Sequence, residues 1–158
     1  MFIGNRRSDA GARSSVSRYA QDVEDRELWT GFTSATLTAA EWTHEAHVRT
    51  AFLFAQQHSL DEAHIRLRAG IIRLNERHGL VETSSRGYFE PLTRAWLTVV
   101  SAARRSQPAS SHELLAQHPE LLERGLLHRH YAPALLASPR ARAIYLEPDL
   151  APLPEVVP

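Results

Sequence analysis

Two histidines in the segment EWTHEAHVRTAFLFAQQH, residues 41–58, are the side chains of this sequence best suited to chemistry. The pKa of histidine lies near neutrality, so imidazole is the usual proton-transfer group and a common metal ligand. If the segment is a continuous helix at about 100° per residue, His44 and His47 share one face with the apolar Val48 and Ala51. The pattern predicts two histidines on the inner side of a helix, beside a polar pocket.

The spacing of these histidines does not match the metal-binding motifs of helices. Zinc-protease helices carry two histidines four residues apart, whereas His44 and His47 are three apart. Glu41 and His44 have the Glu-x-x-His spacing of di-iron bundles, which also need a second such pair and further carboxylates. The nearest second pair is Asp61 with His64. Three interpretations stay open: structurally buried histidines, a metal-free acid–base pocket, or a metal site of histidine and glutamate.

Other polar side chains fall where they could converge on the same pocket. We predict that His47 is the general base or ligand. Its orienting partners are predicted to be His44, Tyr88 and Glu90, of which the last two precede or begin a helix. Arginines near the start of that helix could pair with an anionic ligand. The further candidates for substrate binding in these segments are Arg86, Arg94, His130 and Tyr131.

The composition excludes several kinds of chemistry. The chain has no cysteine, which rules out thiol nucleophiles, disulfides, thiolate zinc sites and iron–sulfur clusters. All 18 basic residues are arginine, so no lysine is present to form a Schiff base with a carbonyl substrate or with pyridoxal phosphate. The identity of any other cofactor is left open.

Charge and hydropathy give expectations about partners and location. Basic and acidic residues number 18 each, so the net charge is zero and nothing favours a nucleic-acid partner. The longest apolar run, AFLFA at 51–55, is far shorter than the roughly 20 residues of a membrane span. The first residues lack the apolar stretch of a secretory signal. We expect a cytoplasmic protein that binds a small molecule, has no membrane partner, and could form a homodimer.

The 158 residues, 43% of them hydrophobic, suffice for one core. Residues 1–20 are rich in Ser, Arg, Gly and Ala and are expected to form a disordered or loosely docked arm, with a single helical domain over residues 21–158. Periodicity and capping signals predict helices near residues 22–32, 43–57, 60–79, 91–103, 112–118 and 119–127. Five of the nine prolines follow residue 138, where we expect one helical turn and then an extended tail. The fold class is therefore an all-α bundle of about five or six helices with an extended Pro-rich C-terminal tail.

Three segments carry a resemblance to a family. EWTHEAHVRTAFLF, GYFEPLTRAWL and HYAPALLASPRARAIYLEPDLAPLP, in that order, resemble a family of small, poorly characterised bacterial helical proteins. The similarity covers about residues 27–154 and implies a shared fold and pocket rather than a particular reaction. It adds Trp42 and Trp96 to the predicted substrate-binding residues. The remaining matched positions are His44, His47, Gly87, Tyr88, Glu90, Thr93, His130, Tyr131, Glu147, Pro148 and Asp149.

One departure from the family pattern bears on metal binding. Where the family has a histidine followed by Glu-Thr, this chain has Phe89, Glu90 and Pro91. If that histidine is a metal ligand in the family, Phe89 cannot replace it, because a metal site normally needs three or more donors. The resemblance then implies acid–base chemistry or ligand binding here, and no metal ligand is assigned.

These observations lead to one leading hypothesis and its alternatives. The leading hypothesis is an enzyme that acts on a small molecule by proton transfer, as a lyase, hydrolase or cyclase, in bacterial specialised metabolism. The first alternative is a non-catalytic module that binds a small ligand or has a regulatory role. The second is a metal-dependent enzyme using histidine and glutamate, and the third is a structural bundle with buried histidines.

Overall fold

The computed structural model describes residues 9–81, 83 and 87–156. Within these ranges the chain is helical and contains no β-strand, which confirms the predicted single-domain all-α bundle. The α-helices are α1 (Asp9–Thr33), α2 (His44–Gln57), α3 (Leu60–Arg77), α4 (Glu90–Ala103), α5 (Ser111–Gln117), α6 (Pro133–Leu136) and α7 (Arg140–Ala143). Short 3-10 segments occur at Arg104–Ser106, Pro119–Leu122 and Leu126–Arg129. None of the described helices is both long and apolar enough to cross a membrane.

The first helix is longer than the sequence pattern predicts. The backbone is helical from Asp9, so the expected arm of residues 1–20 differs from the structure over residues 9–20, while residues 1–8 lie outside the described part. Alanine and arginine in this stretch have high helix propensity, which the expectation of an arm underweighted.

The helix continues through Gly31. It ends two residues later in a Schellman motif, in which Ala35 adopts a positive φ of 55°. The Thr36 N–H donates to the Gly31 carbonyl at 2.8 Å, and the Ala35 N–H donates to the Phe32 carbonyl at 3.0 Å. These two bonds satisfy carbonyl groups that the last turn of a helix leaves unpaired.

Helix α2 lies at the centre of the bundle, in contact with α1, α3, α4 and α5. Residues 51–55 are all buried, because a helix with neighbours on nearly every side must be apolar almost all round. The Thr43 hydroxyl caps the helix by accepting the Ala46 N–H at 3.2 Å. The predicted helix of residues 43–57 is confirmed, and its first turn carries His44 and His47.

Helices α3 and α4 pack on α2 and on each other. The Ser59 hydroxyl caps α3 by accepting the Glu62 N–H at 3.3 Å, as the capping-box pattern predicts. Leu67 and Leu74 of α3 are buried. Pro91 lies in the first turn of α4, where the missing N–H of proline has no intrahelical acceptor to lose.

The C-terminal chain forms no helix over residues 145–156 and is bound to the segment that begins at His130. The Leu150 N–H donates to the His130 carbonyl at 3.0 Å, and His130 Nδ1 lies 3.1 Å from the Ala151 carbonyl oxygen. The buried Tyr131 donates its hydroxyl to the Leu146 carbonyl at 3.2 Å. The HY and EPDLAPLP segments thus contact each other in the folded protein.

One side-chain bond in this attachment can be tested by itself. The Asp149 carboxylate accepts the Ala132 N–H at 2.8 Å, so Asp149→Ala should expose this amide and destabilise the attachment by about 1 kcal/mol. We expect faster hydrogen exchange at the Ala132 amide in the variant. Asp149→Asn, which keeps an acceptor oxygen, should retain most of the protection. Equal exchange in all three proteins would show that the bond does not hold the tail.

Candidate functional site

A cavity of about 450 Å³, here called the histidine cavity because His44 and His47 line it, lies between the first turn of α2, the middle of α3 and the first half of α4. Its size falls in the roughly 300–1,000 Å³ range of small-molecule sites. Leu67 and Ile71 of α3 form one apolar wall, and Leu92 and Trp96 of α4 form another. The predicted site residues Trp42, His44, His47, Tyr88 and Trp96 all line this cavity.

His47 is held by its own helix and by an aromatic ring. Its Nδ1 lies 2.6 Å from the Thr43 carbonyl oxygen, and its ring stacks on Trp42 with centroids 3.8 Å apart. A carbonyl only accepts, so Nδ1 carries the hydrogen and Nε2 keeps a lone pair. Burial lowers the pKa of His47 to about 4, and the Thr43 bond opposes this shift. Repulsion by Arg124, and by His44 when His44 is protonated, adds to the lowering. At neutral pH His47 is therefore an uncharged acceptor.

His44 is held by a different part of the chain. Its Nε2 lies 3.0 Å from the carbonyl oxygen of Leu121, at the end of the 3-10 segment Pro119–Leu122, and donates to it. Its ring meets Trp96 edge to face, with centroids 4.9 Å apart. Burial lowers the pKa of His44, although the Leu121 bond raises it. His44 therefore also keeps an unprotonated nitrogen, Nδ1.

Tyr88 and Glu90 form a second polar group, of which only Tyr88 reaches the cavity wall. The Tyr88 hydroxyl donates to Glu90 Oε2 at 2.7 Å. The buried Glu90 carboxylate also lies 3.2 Å from His64 Nε2 and 3.5 Å from an Arg68 nitrogen, both on α3. Burial raises the pKa of Tyr88, and the Glu90 bond raises it further, so Tyr88 stays a phenol. Glu90 thus fixes the Tyr88 hydroxyl and links α3 to α4, without lining the cavity itself.

The structure does not bring all the predicted site residues together. Arg94 pairs with Asp61 at 2.7 Å and lines a separate cavity of about 520 Å³, which Tyr145 of the C-terminal segment also lines. His130 and Tyr131 hold the C-terminal chain, as described above, and do not line the histidine cavity. Arg86 lies outside the described residues.

Arg124 is a cavity residue that sequence reasoning missed. It follows the 3-10 segment that supplies the partner of His44, and its side chain lines the histidine cavity. No local pattern around Arg124 distinguishes it from the other 17 arginines, because its position depends on contacts between distant segments. Phe89 forms part of the cavity wall, as an apolar ring beside Tyr88.

The donor set at the cavity does not meet the usual requirement of a protein metal site. Among the described residues, no cluster of three or more histidine, aspartate or glutamate side chains is arranged to hold a metal ion. His44 and His47 each use one ring nitrogen for a backbone carbonyl, which leaves two imidazole donors at the cavity. A metal site with three protein ligands would need a further donor.

Comparison of the chain with protein-family models, with curated proteins and with solved structures gives no match in any of the three. The resemblance to a bacterial family therefore stays a prediction.

The depressed pKa of His47 predicts how stability depends on pH. The folded protein binds this proton only near pH 4, whereas an unfolded histidine binds it near 6.5, so stability falls as pH drops from 6.5 towards 4. A difference in pKa is worth about 1.4 kcal/mol of unfolding free energy per pH unit. After a discount for the partial exposure of His47, the unfolding free energy at pH 5 should be lower by about 1 kcal/mol. His47→Phe keeps an aromatic ring on Trp42 but cannot titrate.

Urea unfolding at pH 7 and pH 5 measures this effect. The decrease in unfolding free energy between the two pH values should be smaller in His47→Phe than in the parent protein by about 1 kcal/mol. His128→Phe, at an exposed histidine away from the cavity, is the matched control and should leave the difference unchanged. The same pH dependence in all three proteins would contradict the assignment of His47 as a buried neutral group.

Proposed function

We propose that this protein is an enzyme that binds a small molecule in the histidine cavity and moves a proton by way of His47 Nε2. The observation that supports it most is the fixed tautomer of His47: Nδ1 is tied to the Thr43 carbonyl, and Nε2 is left with a lone pair. Orientation of one imidazole nitrogen by a bond at the other is how histidine bases are positioned in enzymes.

The surroundings of His47 limit the reactions it can catalyse. Since its pKa is about 4, the imidazole is unprotonated at physiological pH and is available as a base, but it is a weak one. It suits substrates with an acidic proton, such as a phenolic O–H or a C–H between two carbonyl groups. The aromatic wall lowers the local dielectric and strengthens polar contacts inside the cavity. A lyase, hydrolase or cyclase step begun by such a proton transfer is the proposed reaction class.

A non-catalytic binding module is the second candidate. His44, His47 and Tyr88 each already donate their hydrogen to a protein acceptor. A site that offers the ligand mainly acceptors and aromatic surface can bind without catalysing a reaction. The two candidates differ in one respect: removal of the His47 nitrogen abolishes turnover in the first and only weakens affinity in the second.

Deuterium exchange tests the proposal without knowledge of the natural substrate. Small aromatic β-keto acids and β-diketones are incubated with the protein in D₂O, and loss of the acidic C–H signal is followed by proton NMR. We expect exchange above the buffer rate for at least one compound, with dependence on an unprotonated group and therefore a plateau above about pH 5.

Variants identify the base in the same assay. His47→Gln should reduce exchange at least a hundredfold, the usual contribution of a positioned general base, and His128→Gln should not change it. If compounds bind but none exchanges or reacts, the catalytic proposal fails and the binding module takes its place. Exchange that survives His47→Gln would assign the proton transfer to another group.

A further inference from the structure

Arg124 gives the histidine cavity a positive charge, and no acidic side chain of the described residues lines the cavity to balance it. Among the described residues lining the cavity, no aspartate or glutamate is present, and Arg124 is the one arginine. The nearby Glu90 is occupied by Tyr88, His64 and Arg68, and it does not line the cavity. Among the residues that the structure describes, a ligand in this cavity therefore meets a guanidinium group and no carboxylate.

The guanidinium of Arg124 is also unoccupied. In the described part of the chain it forms no ion pair and no hydrogen bond, whereas the neighbouring Arg129 binds Glu123 at 2.8 Å and Arg94 binds Asp61 at 2.7 Å. The side chain of Arg124 is exposed, so it lies at the open side of the cavity. Arginine presents a planar fork of donors that matches a carboxylate.

The two histidines of the cavity favour a hydrogen-bond donor on the ligand, whereas Arg124 favours an anionic group. His44 Nδ1 and His47 Nε2 are unprotonated nitrogens, because each ring donates from its other nitrogen to a backbone carbonyl and burial lowers the pKa of both rings. Two lone pairs repel an anionic oxygen and attract an O–H or N–H donor. An anionic group on a ligand therefore belongs at Arg124, and a donor belongs at the histidines.

From this arrangement we propose that the ligand is a planar aromatic carboxylate with a hydroxyl or N–H donor at the end opposite the carboxylate. Its carboxylate binds Arg124, its ring lies among the aromatic side chains of the cavity, and its donor binds His47 Nε2. The rings of Trp42, Trp96 and Tyr88 line a space of about 450 Å³, which accommodates one or two fused aromatic rings. This inference rests on the proposed function and specifies the substrate class of the same cavity.

Three matched probes test the charge and the donor separately. 6-Hydroxy-2-naphthoate carries both groups, 6-hydroxy-2-naphthamide lacks the charge, and 2-naphthoate lacks the donor. Isothermal titration calorimetry at about 0.1 M salt measures their dissociation constants. We expect the hydroxynaphthoate to bind about five- to tenfold more tightly than the amide, and about threefold more tightly than 2-naphthoate.

Arg124→Gln should remove the preference for the carboxylate over the amide. Arg129→Gln is the matched control, because Arg129 is exposed, close in sequence and paired with Glu123 outside the cavity. It should leave the preference intact. Circular dichroism of both variants verifies that the fold is unchanged.

The outcomes separate this inference from the proposed function. If the amide binds the parent protein as tightly as the carboxylate, the anionic substrate class is wrong, while the cavity still binds a small molecule. A preference that persists in Arg124→Gln would likewise overturn the role of Arg124. If none of the three probes binds, both the substrate class and the proposed small-molecule site are rejected.

Discussion

Gly70→Ala is expected to destabilise the protein by about 1–3 kcal/mol, although alanine is the better helix former by about 1 kcal/mol. Gly70 lies in the middle of α3, and the buried Phe32 ring of α1 packs directly onto it. A Cβ atom at Gly70 would lie 2.3 Å from Phe32 Cζ and 2.4 Å from its Cε1. The buried ring has to move before the methyl group fits.

The consequence of that movement reaches the candidate site. Phe32 packs against Trp42 with ring centroids 5.1 Å apart, and Trp42 stacks on His47 at 3.8 Å. Gly70 thus allows α1 to approach α3 closely enough for Phe32 to support the ring that holds His47. We expect Gly70→Ala to shift the histidine ring resonances of His47 in NMR spectra as well as to lower stability.

A double-mutant cycle isolates the cause. Thermal and urea unfolding are measured for Gly70→Ala, Phe32→Leu and the combination. In the Phe32→Leu background the alanine methyl has room, so Gly70→Ala should be neutral or stabilising by up to about 1 kcal/mol. If Gly70→Ala stabilises the parent protein as well, the contact with Phe32 is not restrictive, and the proposed link to Trp42 is wrong.

Local sequence signals predicted α2 to α5 closely, because those signals act over a few residues. Residues 119–127, predicted as one helix, instead contain the 3-10 segment Pro119–Leu122 and the start of the 3-10 segment Leu126–Arg129. Thr43, Ser59 and Pro91 occupy first-turn or capping positions in the structure, as their residue types indicate. The start of α1 was predicted less well, since the pattern places it near residue 22 and the backbone is helical from Asp9. Its end at Thr33 is one residue from the predicted one, although Ala35, with its positive φ, gives no sequence signal for a left-handed turn.

The candidate site was predicted in part, and the prediction from periodicity holds for the first turn of α2. His44 and His47 are separated by one helical turn, and their common face follows from the period of the helix. Arg124 and the carbonyl of Leu121 reach the cavity from a segment about 80 residues away, and no periodicity connects them. His130 and Tyr131 looked like site residues because of their types, whereas their contacts are with the C-terminal chain.

Asp25→Ala is the second prediction with a large effect, because Asp25 joins three helices through buried polar contacts. Its carboxylate accepts the Ser111 N–H at 2.9 Å, a short bond from the Ser111 hydroxyl, and an Arg49 nitrogen at 3.1 Å. Asp25 and Arg49 are 10% and 14% exposed at their side chains. Removal of one partner from a buried ion pair leaves the other charge unpaired, which typically costs about 3–5 kcal/mol.

Two other acidic side chains near Arg49 compensate only part of the stability lost with Asp25. Glu24 and Glu45 lie 3.9 Å from Arg49 nitrogens but are about half exposed, so their attraction is screened by water. We therefore expect Asp25→Ala to lower the unfolding free energy by about 3 kcal/mol, measured by urea unfolding at pH 7. Glu123→Ala, which removes an exposed pair with Arg129, is the control and should cost less than about 0.5 kcal/mol.

Asp25→Ala is also expected to affect the candidate site, because Asp25 contacts the helix that leads to the partner of His44. Ser111 begins α5, which leads into the 3-10 segment whose Leu121 carbonyl accepts the His44 Nε2 hydrogen. Without Asp25, α5 keeps the contacts of Ser110 with Gln21 and of His112 with Glu24 but loses its buried bonds to α1. The acceptor that fixes the His44 tautomer then becomes more mobile. Nitrogen NMR shifts of His44 in Asp25→Ala should then show a mixture of tautomers, whereas Asp25→Asn, which keeps an acceptor for Ser111, should preserve the single form. A full loss of stability with an unchanged His44 tautomer would confine the role of Asp25 to folding and leave Leu121 positioned by its own buried side chain.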